Sequence, residues 1–205
     1  MLEYTGERVI PEKMNPMNGM LLEHIARYYF AEPFVSGRVL DIACGSGYGS
    51  KMLAKARKKE ISGLTAADIS HDAIDYAIKN YYHPLLTYRQ GDIMNPKLKD
   101  EIGTFDTIVS FETIEHVEDD ITFMERITAL LNPGGTLILS TPFGQGRGKP
   151  SKEPFHYHQL TVQEFKELFL SFETVEFYFQ RGVMFEHPRK DRYYPIGIAV
   201  AKKET

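Results

Sequence analysis

Apolar positions along the chain fall into two patterns that take turns. Compact runs rich in Val, Ile, Leu and Phe, bounded by Gly, Asp and Pro, predict seven strands. They are "GRVLDIAC" (37–44), "ISGLTAAD" (61–68), "LLTYRQGD" (85–92), "FDTIVSFE" (105–112), "GTLILSTP" (135–142), "ETVEFYFQ" (173–180) and "IGIAVAKK" (196–203). The first, fourth and fifth are apolar through their centres, as in strands covered on both faces. Between the strands the spacing lengthens to a helical period. "GYGSKMLAKARKKE" puts Met52, Leu53 and Ala56 on one face and gathers cations at its end, where the helix dipole favours them. "SHDAIDYAIKNYY" offers Ser70 as N-cap and repeats Ile74, Ala77, Ile78 and Tyr81 at i, i+3, i+4 and i+7. "DDITFMERITALLNPGG" carries Phe123, Met124, Ile127, Leu130 and Leu131 on one face before Asn132, Pro133 and Gly134 stop it. "LTVQEFKELFLSF" has a capping box from Thr161 to Glu164, with Leu160 and Phe165 as its staple. Strand and helix alternate, which predicts a parallel α/β sheet wound on both faces.

The two ends break that alternation. Only "RGVMFEHPRKDRYYP" joins the last two strands, so they are expected to form an antiparallel hairpin. Ahead of the first strand, "NGMLLEHIARYYFA" is an amphipathic helix, and "TGERVIPEKMNP" before it has no period; both are placed to cover a ligand site. A length of 205 residues suits one core. One domain is therefore expected, with residues 1–34 as cap, 35–142 as core, and 143–205 as loop, helix and hairpin.

Charge and composition remove several functions. Lys and Arg total 24 against 28 Asp and Glu, without a long block of one sign, so nucleic acid is an unlikely partner. No run approaches a membrane span. Cys44 is the single cysteine, which excludes an intramolecular disulfide framework; with no apolar signal region at the start, a reducing cytoplasm is expected. No heptad or repeat encodes an oligomeric state.

The chemistry gathers at the first strand–helix turn. In "VLDIACGSGYGS" Ala43, Gly45, Gly47 and Gly49 alternate with other residues, and small side chains there let backbone N–H groups and a helix N-terminus approach an anion or a ribose. A dinucleotide fingerprint needs Gly or Ala as its third residue, and Ser50 in that position after Gly45 and Gly47 leaves the match incomplete. The stretch more closely resembles motif I of the class I S-adenosylmethionine (SAM) dependent methyltransferases, D-x-G-x-G-x-G, with Ala43 replacing the first glycine. "ADISHDAIDYA", "QGDIMNP", "FDTIVSFETIEHV" and "LLNPGGTLILSTP" resemble later segments of that family, and the set covers residues 39–142. The likeness is to the small-molecule, type 11 members, which include quinone methyltransferases. It implies a Rossmann-like, doubly wound seven-stranded sheet with a C-terminal antiparallel hairpin, here with an N-terminal helical cap.

The resemblance also implies site residues. Ala43, Gly45 and Gly47 would form the loop; Asp41, Phe111 and Glu112 would fix the methionine half of SAM. Asp68 with Ile69 would hold the ribose, although Thr65 is an alternative for the ribose position. Asp92 and Ile93 would hold adenine. The product would be S-adenosylhomocysteine.

A nucleophile that bears a proton must lose it, and His116 and His156 are the candidate bases. His158, Arg147, Arg8 and Tyr28, with Arg27, are candidates for the acceptor or the methionine carboxylate. Glu115, His116, His156 and His158 form a conceivable ligand set, but the two pairs lie 40 residues apart and no cysteine supports them, so no metal is expected. The leading reading is methyl transfer to a small molecule, oxygen preferred. The alternatives are a noncatalytic SAM-binding protein and an NAD(P)-dependent oxidoreductase.

Overall fold

The computed structural model describes residues 2, 8–151 and 153–205; positions 5–7 of the N-terminal stretch and Lys152 lie outside the described residues. Its centre is a sheet of β1 (Gly37–Ile42), β2 (Ile61–Asp68), β3 (Leu86–Gln90), β4 (Phe105–Phe111), β5 (Leu131–Pro142), β6 (Thr174–Arg181), β7 (Met184–Glu186) and β8 (Ile196–Lys202). The order is β3-β2-β1-β4-β5-β8-β6-β7. The first five strands are parallel, while β8 is antiparallel to both β5 and β6. The predicted terminal hairpin is therefore present, with its second strand inserted between β5 and β6.

Successive residues of the central strands go to opposite faces. Leu40, Ile108, Leu137 and Leu139 pack with Phe123 and Ile127 of α5 (Asp120–Ala129) and with Phe165 of α6 (Val162–Glu167). Val39, Val109 and Ile138 pack instead with Leu21 and Tyr28 of α1 (Gly19–Ala31), Leu53 and Ala54 of α2 (Tyr48–Ala56), and Ile74 of α3 (His71–Asn80). This is why the three strands read as continuous apolar runs. The helix starts follow their capping signals. Ser70 accepts the N–H of Ala73, and Thr161 with Glu164 completes a reciprocal capping box.

Four local expectations change. Gly182, at φ 60°, and Val183 make a two-residue turn that adds β7 at the sheet edge, an eighth strand. Strand β5 starts at Leu131, because Leu131 pairs with Phe105 before a bulge absorbs residues 132–135. Ile78 is 55% exposed, since the inner face of α3 is filled by Ala73, Ile74 and Ala77; on α2 Ala54 is buried and Ala56 exposed. A short helix α4 (Leu98–Ile102), which has no periodicity to announce it, buries Leu98 and Ile102.

The segment before α1 crosses the turn after β1. Ser46 Oγ donates to the Val9 carbonyl at 2.7 Å, and the hydroxyls of Tyr76 and Tyr81 donate to the Glu12 carboxylate. Among the described residues no helix is long and apolar enough to cross a membrane.

Candidate active site

Strand order reverses between β1 and β4, and the carboxyl ends of strands at such a reversal form a crevice. Both strands end in strained backbone. Ala43 follows β1 at φ 60° and Glu112 follows β4 at φ 49°, and these are the non-glycine residues with left-handed φ among the described residues. Such conformations cost about 1–3 kcal/mol each and persist where the surroundings impose them. Here Glu112 donates its N–H to the Ser140 carbonyl, and its carboxylate accepts from Ser140 Oγ at 2.7 Å. Beyond Ala43, Cys44 donates its N–H to Ala67 at the end of β2, and Asp68 takes the N–H groups of Gly45 and Ser70 at 2.8 Å each. The turn is thus fastened to β2 by backbone donors.

Its glycines have separate tasks. Gly45, at φ 57°, faces open space in the crevice, where a side chain would stand in a ligand's place. A β-carbon on Gly47 would lie 2.6 Å from that of Ala77, so this glycine lets α3 pack close. One on Gly49 would run into the Tyr28 ring.

The crevice encloses about 790 Å³, within the range of small-molecule sites. One half is bordered by Ala43, Gly45, Asp68, Ile69, Asp92 and Ile93. The other is bordered by Glu23, His24, Arg27 and Tyr28 of α1, by Phe111, Glu112, Glu115 and His116 after β4, and by His156. Arg8 also borders it. Asp68 stands at the rim, whereas Thr65 lies inside β2 between Leu40 and Thr87.

Four nominated residues do not border the crevice. Asp41 is buried behind it, accepting from Ser50 Oγ at 2.6 Å and from the Tyr28 hydroxyl at 3.3 Å. Gly47 serves the packing just described. Arg147 is 2.6 Å from Asp120 at the start of α5, and His158 is buried 3.9 Å from the same carboxylate. Arg147 fastens the loop after β5 to the rim of the sheet because Asp120, itself buried, draws the guanidinium toward it, and His158 packs beside the same carboxylate. Tyr28 does reach the crevice, but its hydroxyl is committed to Asp41.

Burial controls the charges. It pushes the Asp41 carboxyl up to about 7, against the pull of its bonds from Ser50 and Tyr28. It raises Glu115 well above the usual carboxylate range, with Glu112 adding to the rise, and it holds His24 well below the usual range, with Arg27 adding to that. Arg27 is 1% exposed; it donates to Gln180 at 2.9 Å, and its Nε makes no hydrogen bond among the described residues. A guanidinium stays charged under these conditions, so the crevice contains a fixed, incompletely satisfied cation.

The structure closes the 40-residue gap between the histidines. The Tyr157 N–H donates to the Glu115 carbonyl at 2.9 Å, and His116 Nδ1 is 3.0 Å from the Phe155 carbonyl. The His116 and His156 rings lie edge to face with centroids 4.8 Å apart. Glu115, His116 and His156 present ligand atoms within 4.8 Å of one another, and His158 is outside the group. Glu23 and His24 carried no sequence signal beyond their i, i+4 spacing to Arg27 and Tyr28 on α1.

Known proteins share the motif-bearing segment and the fold. Residues 40–139 match the family described as methyltransferase domain. A probable S-adenosylmethionine-dependent methyltransferase of Mycolicibacterium smegmatis is 31% identical over 172 residues, covering 82% of this chain and 63% of that protein. A ubiquinone biosynthesis O-methyltransferase of Xanthomonas campestris is 31% identical over 137 residues, covering 64% of this chain and 53% of that protein. The chain therefore spans somewhat over half the length of these relatives. Among solved structures, the N-methyltransferase NodS of Bradyrhizobium japonicum, in complex with S-adenosylhomocysteine, superposes with a TM-score of 0.66 at 17% identity, over 90% of this chain and 88% of that one. With motif and fold in agreement, residues 40–139 form a methyltransferase domain of the class I SAM-dependent kind.

Proposed function

We propose that the protein transfers a methyl group from SAM to a small-molecule acceptor, with oxygen the preferred nucleophile. The observation that carries this reading is the crevice at the β1–β4 reversal, where the backbone turn 43–46 and the rim carboxylate Asp68 meet a buried cation, Arg27. Two features of the chain fit the cofactor. The open space beside Gly45 suits close approach of a ligand, and the unsatisfied Nε of the buried Arg27 suits a carboxylate such as that of a methionine moiety.

When bound, SAM supplies a methyl group already activated on a sulfonium, so the protein's tasks are binding, orientation and exclusion of water. Asp68 takes the ribose hydroxyls, while Asp92 and Ile93 hold the adenine. Arg27 holds the carboxylate end, and Phe111 and Glu112 form the wall beside it. The acceptor enters on the side of Glu115, His116 and His156, where a histidine takes up its proton; holding the nucleophile in line is worth up to about 7–11 kcal/mol in favourable cases. The relative whose name specifies O-methylation supports oxygen.

Calorimetric titration with SAM, S-adenosylhomocysteine and NADH tests the reading, with Asp68→Ala alongside. The two sulfur ligands are expected to bind saturably, about tenfold or more weaker in the variant, because charge-assisted hydrogen bonds are worth about 1.5–3 kcal/mol. NADH is expected not to bind. Binding of NADH alone would move the protein to the oxidoreductases, and SAM binding without turnover across broad acceptor panels would make it a noncatalytic binder.

A further inference from the structure

We infer that Glu115, His116 and His156 form a binding site for a divalent transition-metal ion on the acceptor side of the crevice. The inference rests on the proposed methyl transfer only for what the ion would do there; the site itself follows from the side chains.

The three offer two imidazoles and one carboxylate, with ligand atoms within 4.8 Å of one another. Metal–ligand bonds of about 2.1 Å separate tetrahedral ligand atoms by roughly 3.4 Å, so the side chains have to close by no more than about 1.5 Å. Two histidines with a carboxylate favour zinc, iron or cobalt over magnesium or calcium, which take oxygen ligands, and leave open positions for a further ligand.

Each of the three has an outer partner of the kind that orients metal ligands. Thr141 Oγ1 donates to Glu115 at 3.2 Å, the Phe155 carbonyl faces His116 Nδ1 at 3.0 Å, and Gln159 Nε2 faces His156 Nδ1 at 3.2 Å. The Phe155 carbonyl accepts from Nδ1–H and assigns ligation to Nε2 of His116. The Gln159 amide does the same for His156 when its oxygen is turned toward the ring, an exchange that leaves the shape of the side chain unchanged.

Glu115 is 2% exposed, and no Lys or Arg among the described residues forms an ion pair with it. Buried carboxylates are normally paired or ligating. A metal cation beside the two imidazoles would compensate this carboxylate, to which Arg27 already contributes a favourable charge. The group also borders the crevice. Ligation would occupy Nε2 of both histidines, so a bound ion would take the place of the histidine base: an acceptor hydroxyl in an open position would release its proton to water more readily and keep the electron pair on oxygen. The ligand class this favours is an acceptor with a hydroxyl, or two adjacent ones, that can chelate.

The test is titration of Co²⁺ into the metal-stripped full chain, read by its visible absorption bands, with S-adenosylhomocysteine binding measured separately. Expected is one equivalent of Co²⁺ with bands of a low-coordinate nitrogen and oxygen site, displaced by Zn²⁺ and weakened more than about tenfold in both Glu115→Gln and His156→Ala. Both variants should keep the parent's unfolding midpoint without metal to within a few degrees, and His158→Ala should bind Co²⁺ like the parent. Co²⁺ binding that survives in both variants, or no binding while S-adenosylhomocysteine still binds, overturns the site and leaves the methyltransferase reading intact. Stoichiometric Co²⁺ binding lost in the variants, without binding of either sulfur ligand, keeps the site and removes the methyltransferase reading instead.

Discussion

The two halves of the crevice are built in different ways. On the β1–β2 side the work is done by backbone: Ala43 and Gly45 in left-handed conformations, N–H groups fastened to Ala67 and Asp68, and Gly47 admitting α3. On the β4–β5 side it is done by side chains from three separate segments, with α1 supplying Arg27, the turn after β4 supplying Glu115 and His116, and the loop after β5 supplying His156. A backbone site needs small residues at fixed spacing, so it leaves a motif in the sequence. A side-chain site assembled across long separations does not, and it is the half free to differ between acceptors.

If that division is right, the largest effect of substitution on turnover comes from the second half with little effect on cofactor affinity. His156→Ala is expected to lower turnover by about 10²–10⁴-fold, with S-adenosylhomocysteine affinity within about threefold of the parent. Steady-state rates with an accepted acceptor, set beside calorimetry, check both numbers. Equal loss of affinity and rate would show that the two halves are not separable.

Asp41 lies under the boundary, bonded to Ser50 of α2 and to Tyr28 of α1. Burial raises its pKa to about 7 in the folded chain, whereas an unfolded aspartate loses its proton near 3.8. Between those values the native state holds a proton that the unfolded state has released. Stability from this group is therefore full below about pH 4 and is lost as pH rises through about 7, with a slope of up to about 1.4 kcal/mol per pH unit. Asp41→Asn carries no such proton. Its stability relative to the parent should improve by as much as about 4 kcal/mol between pH 4 and 7.5 as an upper limit, measured by denaturant unfolding at several pH values. Parallel curves for the two proteins would mean that Asp41 is ionised in the folded state throughout.

The backbone half can be broken more locally. Gly47→Ala places a side chain at φ 88° and 2.6 Å from the Ala77 β-carbon. The left-handed conformation costs about 1–2 kcal/mol and overpacking about 1–3, so a loss near 3 kcal/mol is expected in the same unfolding measurement. A change below about 1 kcal/mol would mean that α3 can move away, and that Gly47 is not what sets its distance from the sheet.

These contrasts also explain what the sequence could reveal. The strand–helix alternation, the helix caps and the small-residue turn are local, so β1 to β6, β8 and most helix starts are legible. Asp68 is legible because its distance from the turn is fixed by one strand–helix unit. Asp41 was legible as a motif position but not as a buried one, since Tyr28 reaches it from a helix outside the alternation. The Glu115–His116–His156 triangle is not legible because 40 residues separate its two parts, which the bond from Tyr157 N–H to the Glu115 carbonyl and the contact of His116 Nδ1 with the Phe155 carbonyl bring together. β7 rests on a three-residue strand whose signal is one Gly-Val turn.

Arg147 and His158 probe the edge of the second half. Both belong to the loop that carries His156, and both have chemistry suited to an acidic acceptor, yet Arg147 is paired with Asp120 and His158 is buried beside it. Arg147 has its Nε 2.7 Å and its Nη2 2.6 Å from that carboxylate, and its backbone N–H donates to Glu164 on α6. Their role is to hold the loop in place from outside the crevice. Arg147→Met keeps the aliphatic stem and removes the pair. With the Arg side chain one-third exposed, water replaces part of what is lost, so the expected cost is about 1 kcal/mol of stability. Turnover should stay within about threefold of the parent, because His156 is held independently through the contact of its loop with Glu115. A fall in turnover with unchanged stability would place Arg147 on the acceptor after all, and would extend the side-chain half of the crevice as far as α5.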